Sequence, residues 1–192
     1  KKKITIAIDA MGGDNSPEKT IEGVDIFIKK NINNNNFTLN LFGNQNKIES
    51  FLKKFSTPLE NIKITHTESV VSDKDTPLTA VKNSKNTSMW NCIKSQLEGN
   101  ADISLSAGNT GVMLVVSRMI LKMMDKVSKP ALAGLWPNQN STNVVLDLGA
   151  NIECDDNNLV DFAELGSALY KSLYPNDISK VALLNIGSEE IK

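Results

Sequence analysis

The chain has 192 residues, 40% of them hydrophobic, 22% charged and 5% aromatic. Its 21 basic residues against 22 acidic ones leave a net charge of −1, which excludes the basic field and aromatic platforms of a nucleic-acid binder. This composition suits a globular protein able to bury one good core. Cys92 and Cys154 lack metal or redox spacing and read as reduced thiols. Lys1-Lys2-Lys3 precedes a stretch interrupted by Asp9, and the most apolar helical stretch, 112–124, carries Arg118 and Lys122. Neither is a leader or a membrane span, so the expected location is the cytoplasm.

Residues 3–9 alternate and are β-branched, the pattern of a first strand. Ser16-Pro17-Glu18 predicts a helix start with Ser16 as N-cap and Pro17 at the first helical position. Ile21, Val24, Phe27 and Ile28 form the inner face of that helix. Residues 37–42, closed by Gly43, predict strand two, and Ile48, Phe51, Leu52 and Phe55 mark the helix after it. Residues 62–66 predict strand three. A polar stretch then leads to one long helix from Pro77 to Glu98, ended by Gly99. Residues 101–105 predict strand four, with a helix from Thr110. Residues 130–136 and 143–148 read as strands five and six, 159–173 as a helix and 181–186 as strand seven.

Strands alternating with helices imply a mostly parallel sheet with right-handed crossovers, an α/β three-layer sandwich. Ligands of such sheets bind at the carboxyl ends of the strands. Three Gly-rich turns are expected there: Asp9-Ala10-Met11-Gly12-Gly13-Asp14, Ser106-Ala107-Gly108-Asn109-Thr110-Gly111 and Asp147-Leu148-Gly149-Ala150-Asn151. A strand-to-helix turn of this kind aims amides and a helix dipole at an anion. A fourth such turn begins at Gly187.

The dinucleotide and P-loop fingerprints are both missing, and strand two ends Leu41-Phe42-Gly43-Asn44 without a carboxylate for a ribose. Asp9 or Asp14 either orients a nucleophile or binds a metal through an oxygen, or else Asp14 caps the helix and Asp9 hydrogen-bonds the amides of its own turn; no metal site is assigned. Lys82 and Lys85, three apart on the long helix, face one way and can hold phosphate or an acidic partner, or simply line a solvated face. His66, the only histidine, reads as structural unless the fold brings it to Ser106. Met113, Met119, Met123 and Met124 suit core or a subunit interface. Lys192, after Glu189-Glu190, sits where a cation could neutralise phosphate or an oxyanion.

These motifs resemble, in order, those of the bacterial phosphate acyltransferase (PlsX) family. The resemblance is carried by residues 8–14 with Pro17, then residues 106–111, Lys129-Pro130-Ala131-Leu132, residues 146–151, and residues 183–187 with Glu189, Glu190 and Lys192. It implies a phosphotransacetylase-like fold, a homodimer and no cofactor. The implied reaction moves a fatty acyl group from acyl carrier protein to inorganic phosphate, and the acyl phosphate feeds a membrane acyltransferase in phospholipid synthesis.

On that resemblance Gly12, Gly13, Asp14, Ser106, Gly108, Thr110, Gly111 and Gly149 bind substrate and phosphate. Lys192, Asn109 and Asn151 stabilise the tetrahedral oxyanion, and Lys82 and Lys85 contact the carrier protein. Family members run on well past Lys192, with more substrate loops and a helical hairpin for peripheral membrane contact. The 192 residues are therefore expected to be an N-terminal part with little activity alone. The family often has arginine at 82 and 85, Gly or Asp at 86 and a smaller apolar residue at 136. A non-catalytic domain binding a phosphorylated metabolite or nucleotide is the alternative reading of the same turns.

Overall fold

Strand β1 (Ile4–Asp9) holds the first unit together, because both of its edges are paired in parallel. On one side lies β2 (Phe37–Gly43), followed outward by β3 (Ile62–His66); on the other lies β4 (Ile103–Ser106). The order β3-β2-β1-β4 reverses direction of growth at β1, a topological switch point. This computed structural model describes residues 3–72, 75–139 and 141–185. The chain divides into two units, Lys1–Lys122 and Met123–Lys192.

Alternation along β1 decides which layer meets which face. Ile6 and Ile8 join Leu39 and Leu41 against α1 (Glu18–Lys30) and α2 (Gln45–Phe55), where Ile21, Val24, Ile28, Ile48 and Leu52 are buried. Ala7 points the other way and clusters with Phe42, Cys92 and Ala101. Cys92 belongs to α4 (Ser88–Leu97), whose Met89 and Ile93 pack on Val112, Val116 and Ile120 of α5 (Thr110–Leu121). Helices on both faces of a parallel sheet give the expected three-layer α/β arrangement. Each fully buried Ile or Leu in these layers contributes roughly 1.5–3 kcal/mol.

Two local expectations fail for visible reasons. Ser16 does not cap α1: its hydroxyl donates back to the Gly12 carbonyl, and the N-cap position falls to Pro17. The long helix from Pro77 is two helices, α3 (Pro77–Asn83) and α4. Asn86 takes a left-handed conformation (φ 66°), which Asn tolerates better than most residues. Thr87 then caps α4 by accepting the Trp90 amide at 3.2 Å.

The second unit departs further from simple alternation. Strands five and six are β5 (Gly134–Pro137) and β6 (Thr142–Val145), an antiparallel pair of their own. Only residues 138–141 lie between them, far too few for a parallel crossover. Asn138 closes that turn, its amide donating to the Ser141 carbonyl and its side chain accepting the Ser141 amide. Helix α6 (Asp156–Leu173) follows, capped by a reciprocal Asp155–Asn158 pair. The expected seventh strand does not form: residues 181–185 are irregular, and Val181, Leu183 and Leu184 are exposed. Ile186 and the Gly187 turn lie outside the described residues.

Candidate functional site

Parallel pairing of β1 with β4 puts Asp9 level with Ser106, so the first two Gly-rich turns leave the sheet side by side. The Ser106 hydroxyl donates to Asp9 Oδ2 at 2.7 Å and accepts the Gly108 amide at 3.1 Å. Asp9 Oδ1 accepts the Met11 amide at 3.2 Å, and Asp9 itself is only 2% exposed. One buried carboxylate thus ties both turns together. The local reading of Asp9, bonding its own turn, is the one this geometry realises.

Glycine is required here by the fit of turn on turn. A Cβ on Gly12 would stand 2.6 Å from Asp9 Oδ2, 2.7 Å from Ser106 Oγ and 2.9 Å from the Gly108 nitrogen. Gly13, at φ 91°, would bring a Cβ to 2.8 Å from the Ala107 carbonyl. The absent side chains let two backbones interlock. Close approach of the turns to each other is what Gly12 and Gly13 permit.

Beside this junction opens a cleft of about 390 Å³, lined by Asp9, Gly12, Gly13, Asp14, Ser106 and Ala107 from the turns. Ile8 and Leu105 line it from the sheet, Ser16 from the turn before α1, and Lys19, Thr20 and Gly23 from α1 itself. Lys19 at the rim is paired with Glu22 at 2.8 Å, and Asp14 is exposed. Sequence reasoning missed the α1 wall. Its signal was the spacing 19, 20, 23, one face of a helix, overshadowed by the neighbouring apolar face.

The remaining residues of the second turn lie beyond the cleft wall, at the start of α5. Asn109 is the N-cap, accepting the Val112 amide at 3.1 Å and donating to the Asp75 carbonyl at 3.1 Å. The Thr110 and Gly111 amides are first-turn donors, which helix geometry leaves without an intrahelical acceptor. Gly111 faces Pro77 at the head of α3, where a Cβ would sit 3.3 Å from Cγ. The turn therefore serves two sides: Ser106 and Ala107 face the cleft, whereas Gly108, Thr110 and Gly111 belong to the helix end.

Other candidates are placed apart. His66 ends β3, three strand spacings or about 14 Å from β4. It accepts the Gln45 amide and pairs with Glu68, so no triad with Ser106 forms. Cys92 lies beneath the turn junction, its thiol pushed up to about 12 by burial and by the Asp9 charge, and is therefore unreactive. Lys82 closes α3 but Lys85 falls in the turn after it, so they do not share a helix face as expected. Both are exposed. Lys192 lies outside the described residues.

In the second unit, Asp147 organises the third turn. Its carboxylate accepts the Leu132, Ala150 and Asn151 amides at 2.8, 3.1 and 2.8 Å. The Asn151 side chain donates to Asp147 at 3.0 Å and to the Pro130 carbonyl at 2.8 Å. Both amide protons of Asn151 are thereby engaged within the loop, where it acts as an anchor. Burial works against the charged Asp147, but these four donors outweigh it and hold its pKa below the ordinary carboxylate value. Gly149, at φ 96°, supplies the left-handed step of the turn.

Residues 4–192 match the family model described as fatty acid synthesis protein. The chain belongs to this family. It is 52% identical to a protein of Pelagibacter ubique named phosphate acyltransferase, across 100% of this chain and 56% of that one. A protein of the same name from Parvibaculum lavamentivorans is 40% identical over 98% of this chain and 52% of its own length. The chain spans about half the length of the curated relatives it matches. Its fold is that of the phosphotransacetylases. The enzyme from Streptococcus pyogenes superposes with a TM-score of 0.64 at 14% identity, covering 91% of this chain and 56% of that one. EutD phosphotransacetylase from Staphylococcus aureus gives 0.60 at 18% identity, covering 88% and 53%.

Two expectations test the site's construction. Gly12→Ala should lower stability by about 1–3 kcal/mol, the cost of an overpacked position, measured by chemical denaturation. Asp147, with its folded pKa depressed, adds stability above its unfolded pKa of about 3.9 and loses it as pH falls through the folded value. The stability gap between wild type and Asp147→Asn should therefore hold near pH 7 and shrink below about pH 4. A gap independent of pH would remove the carboxylate from that role.

Proposed function

We propose that the intact protein transfers a fatty acyl group from an acyl carrier protein thioester to inorganic phosphate, and that the cleft at the ends of β1 and β4 receives the phosphate. The observation that carries this reading is the pairing of the two Gly-rich turns at adjacent strand ends, joined through Asp9 and Ser106. Membership of a family with relatives named phosphate acyltransferase supports it.

The chemistry asks little of side-chain bases. A phosphate oxygen attacks the thioester carbonyl, the C–S bond breaks, and the carrier thiol leaves with acyl phosphate as product. Phosphate is already largely anionic at neutral pH, so positioning and charge stabilisation are the main requirements. Lys19 at the rim and the Thr20 hydroxyl supply contacts for a dianion. The N-terminal end of α5, held by its Asn109 cap, directs a favourable dipole at the developing oxyanion. Asp9 is buried and engaged with Ser106 and Met11, so it shapes the pocket without facing phosphate as a bare charge.

Lys82 and Lys85, both exposed, are proposed to meet the acidic carrier protein. We further propose a homodimer that works in the cytoplasm at the membrane surface, delivering acyl phosphate for phospholipid synthesis. No described helix is long and apolar enough to cross a membrane. The intact protein should release carrier thiol only when phosphate is present, followed by thiol titration with and without phosphate. Gly111→Val, which crowds Pro77 and displaces the head of α5, should raise KM for phosphate at least about tenfold. Equal thiol release without phosphate would mark a thioesterase, and tight nucleotide binding without transfer a non-catalytic module.

A further inference from the structure

Gly23 has no structural reason to be glycine. It lies inside α1 with ordinary helical backbone, and a Cβ there would meet nothing within 4 Å. Glycine in a helix interior is destabilising relative to alanine, so the position forgoes stability while leaving open space. That space is the lower end of the cleft, where Gly23 stands across from Ile8 and Leu105.

The surface continues beyond the cleft and changes character as it goes. The stripe begins with polar Ser16 before α1 and Lys19 and Thr20 on it, reaches Gly23, and passes by helical spacing to Ile26 and Phe27. Beneath it the strand register pairs Ile8 with Leu105 and Ile6 with Ile103 on the α1 face of the sheet. Ile103, Leu105, Ile26, Phe27 and Ile4 are each between 39% and 49% exposed. An apolar strip therefore leads away from a polar head site. From Lys19 to Phe27 it runs about 12 Å along the helix axis, so only a long ligand reaches its far end.

We infer that the aliphatic chain of the acyl donor lies along this strip, from Leu105 past Gly23 towards Phe27, with its thioester at the paired turns. The inference rests on the acyl-transfer reading of the cleft. Two features select this occupant. The strip is continuous with the proposed phosphate site, and its polarity falls in the order that a thioester with an alkyl tail presents. Gly23 is exposed and leaves this stretch of the α1 surface clear of a side chain, so the chain can lie against it.

Gly23→Phe, which favours the helix but fills that stretch, tests this in the intact protein. Palmitoyl and butyryl thioesters of acyl carrier protein serve as paired donors, with phosphate saturating. The ratio of palmitoyl to butyryl KM should rise about tenfold, the loss expected when roughly two methylenes leave their contact. Equal effects on both donors, or none on either, would overturn the inference. A large loss of thermal stability would also overturn it, showing that the strip packs against other parts of the protein. Should the variant fail to fold, wild-type protein with a diazirine-bearing palmitoyl donor gives the answer. Crosslinks should map to residues 23–27 and 103–105, and crosslinks elsewhere would refute the path. If the wild type shows no phosphate-dependent transfer, the acyl-transfer reading itself fails and takes this inference with it.

Discussion

The constraint on which the rest depends is the buried hydrogen bond between Ser106 and Asp9, made across the β1–β4 register. A carboxylate this far from water is tolerable only with its oxygens engaged, and it engages one from each turn. Gly12 and Gly13 follow from it, since any side chain there would push the second turn away. The cleft walls, the start of α5 and the burial of Cys92 all inherit their positions from this junction. Packing and the proposed phosphate cleft therefore meet at the same few atoms.

Most of the first unit could be read from the sequence because its elements obey simple local rules. Residues 62–66 formed the strand expected of them, and the inner face of α1 was marked by Ile21, Val24 and Ile28. Failures cluster where one residue's side chain chose a different partner. Ser16 turned to the Gly12 carbonyl instead of a helix amide, and Thr87 began a new helix inside a stretch that looked continuous. The β5–β6 pair escaped notice because apolar content was weighed before the shortness of the connection.

Site legibility followed the same division. The turn motifs announced themselves through glycine and small polar residues, and two of them meet at neighbouring strand ends. The α1 wall did not, because Lys19, Thr20 and Gly23 resemble an ordinary solvated face until the fold shows what stands opposite. The amide groups of Asn109 and Asn151 hold their own loops, a structural role that the sequence does not announce.

Phosphate recognition at the paired turns is the central claim, and amide chemical shifts of the intact protein titrated with inorganic phosphate test it most directly. Saturable shifts should appear at Gly12, Gly13, Asp14, Ser106 and Ala107, whose amides border the cleft. Shifts confined to other parts of the molecule, with these amides unmoved, would contradict it.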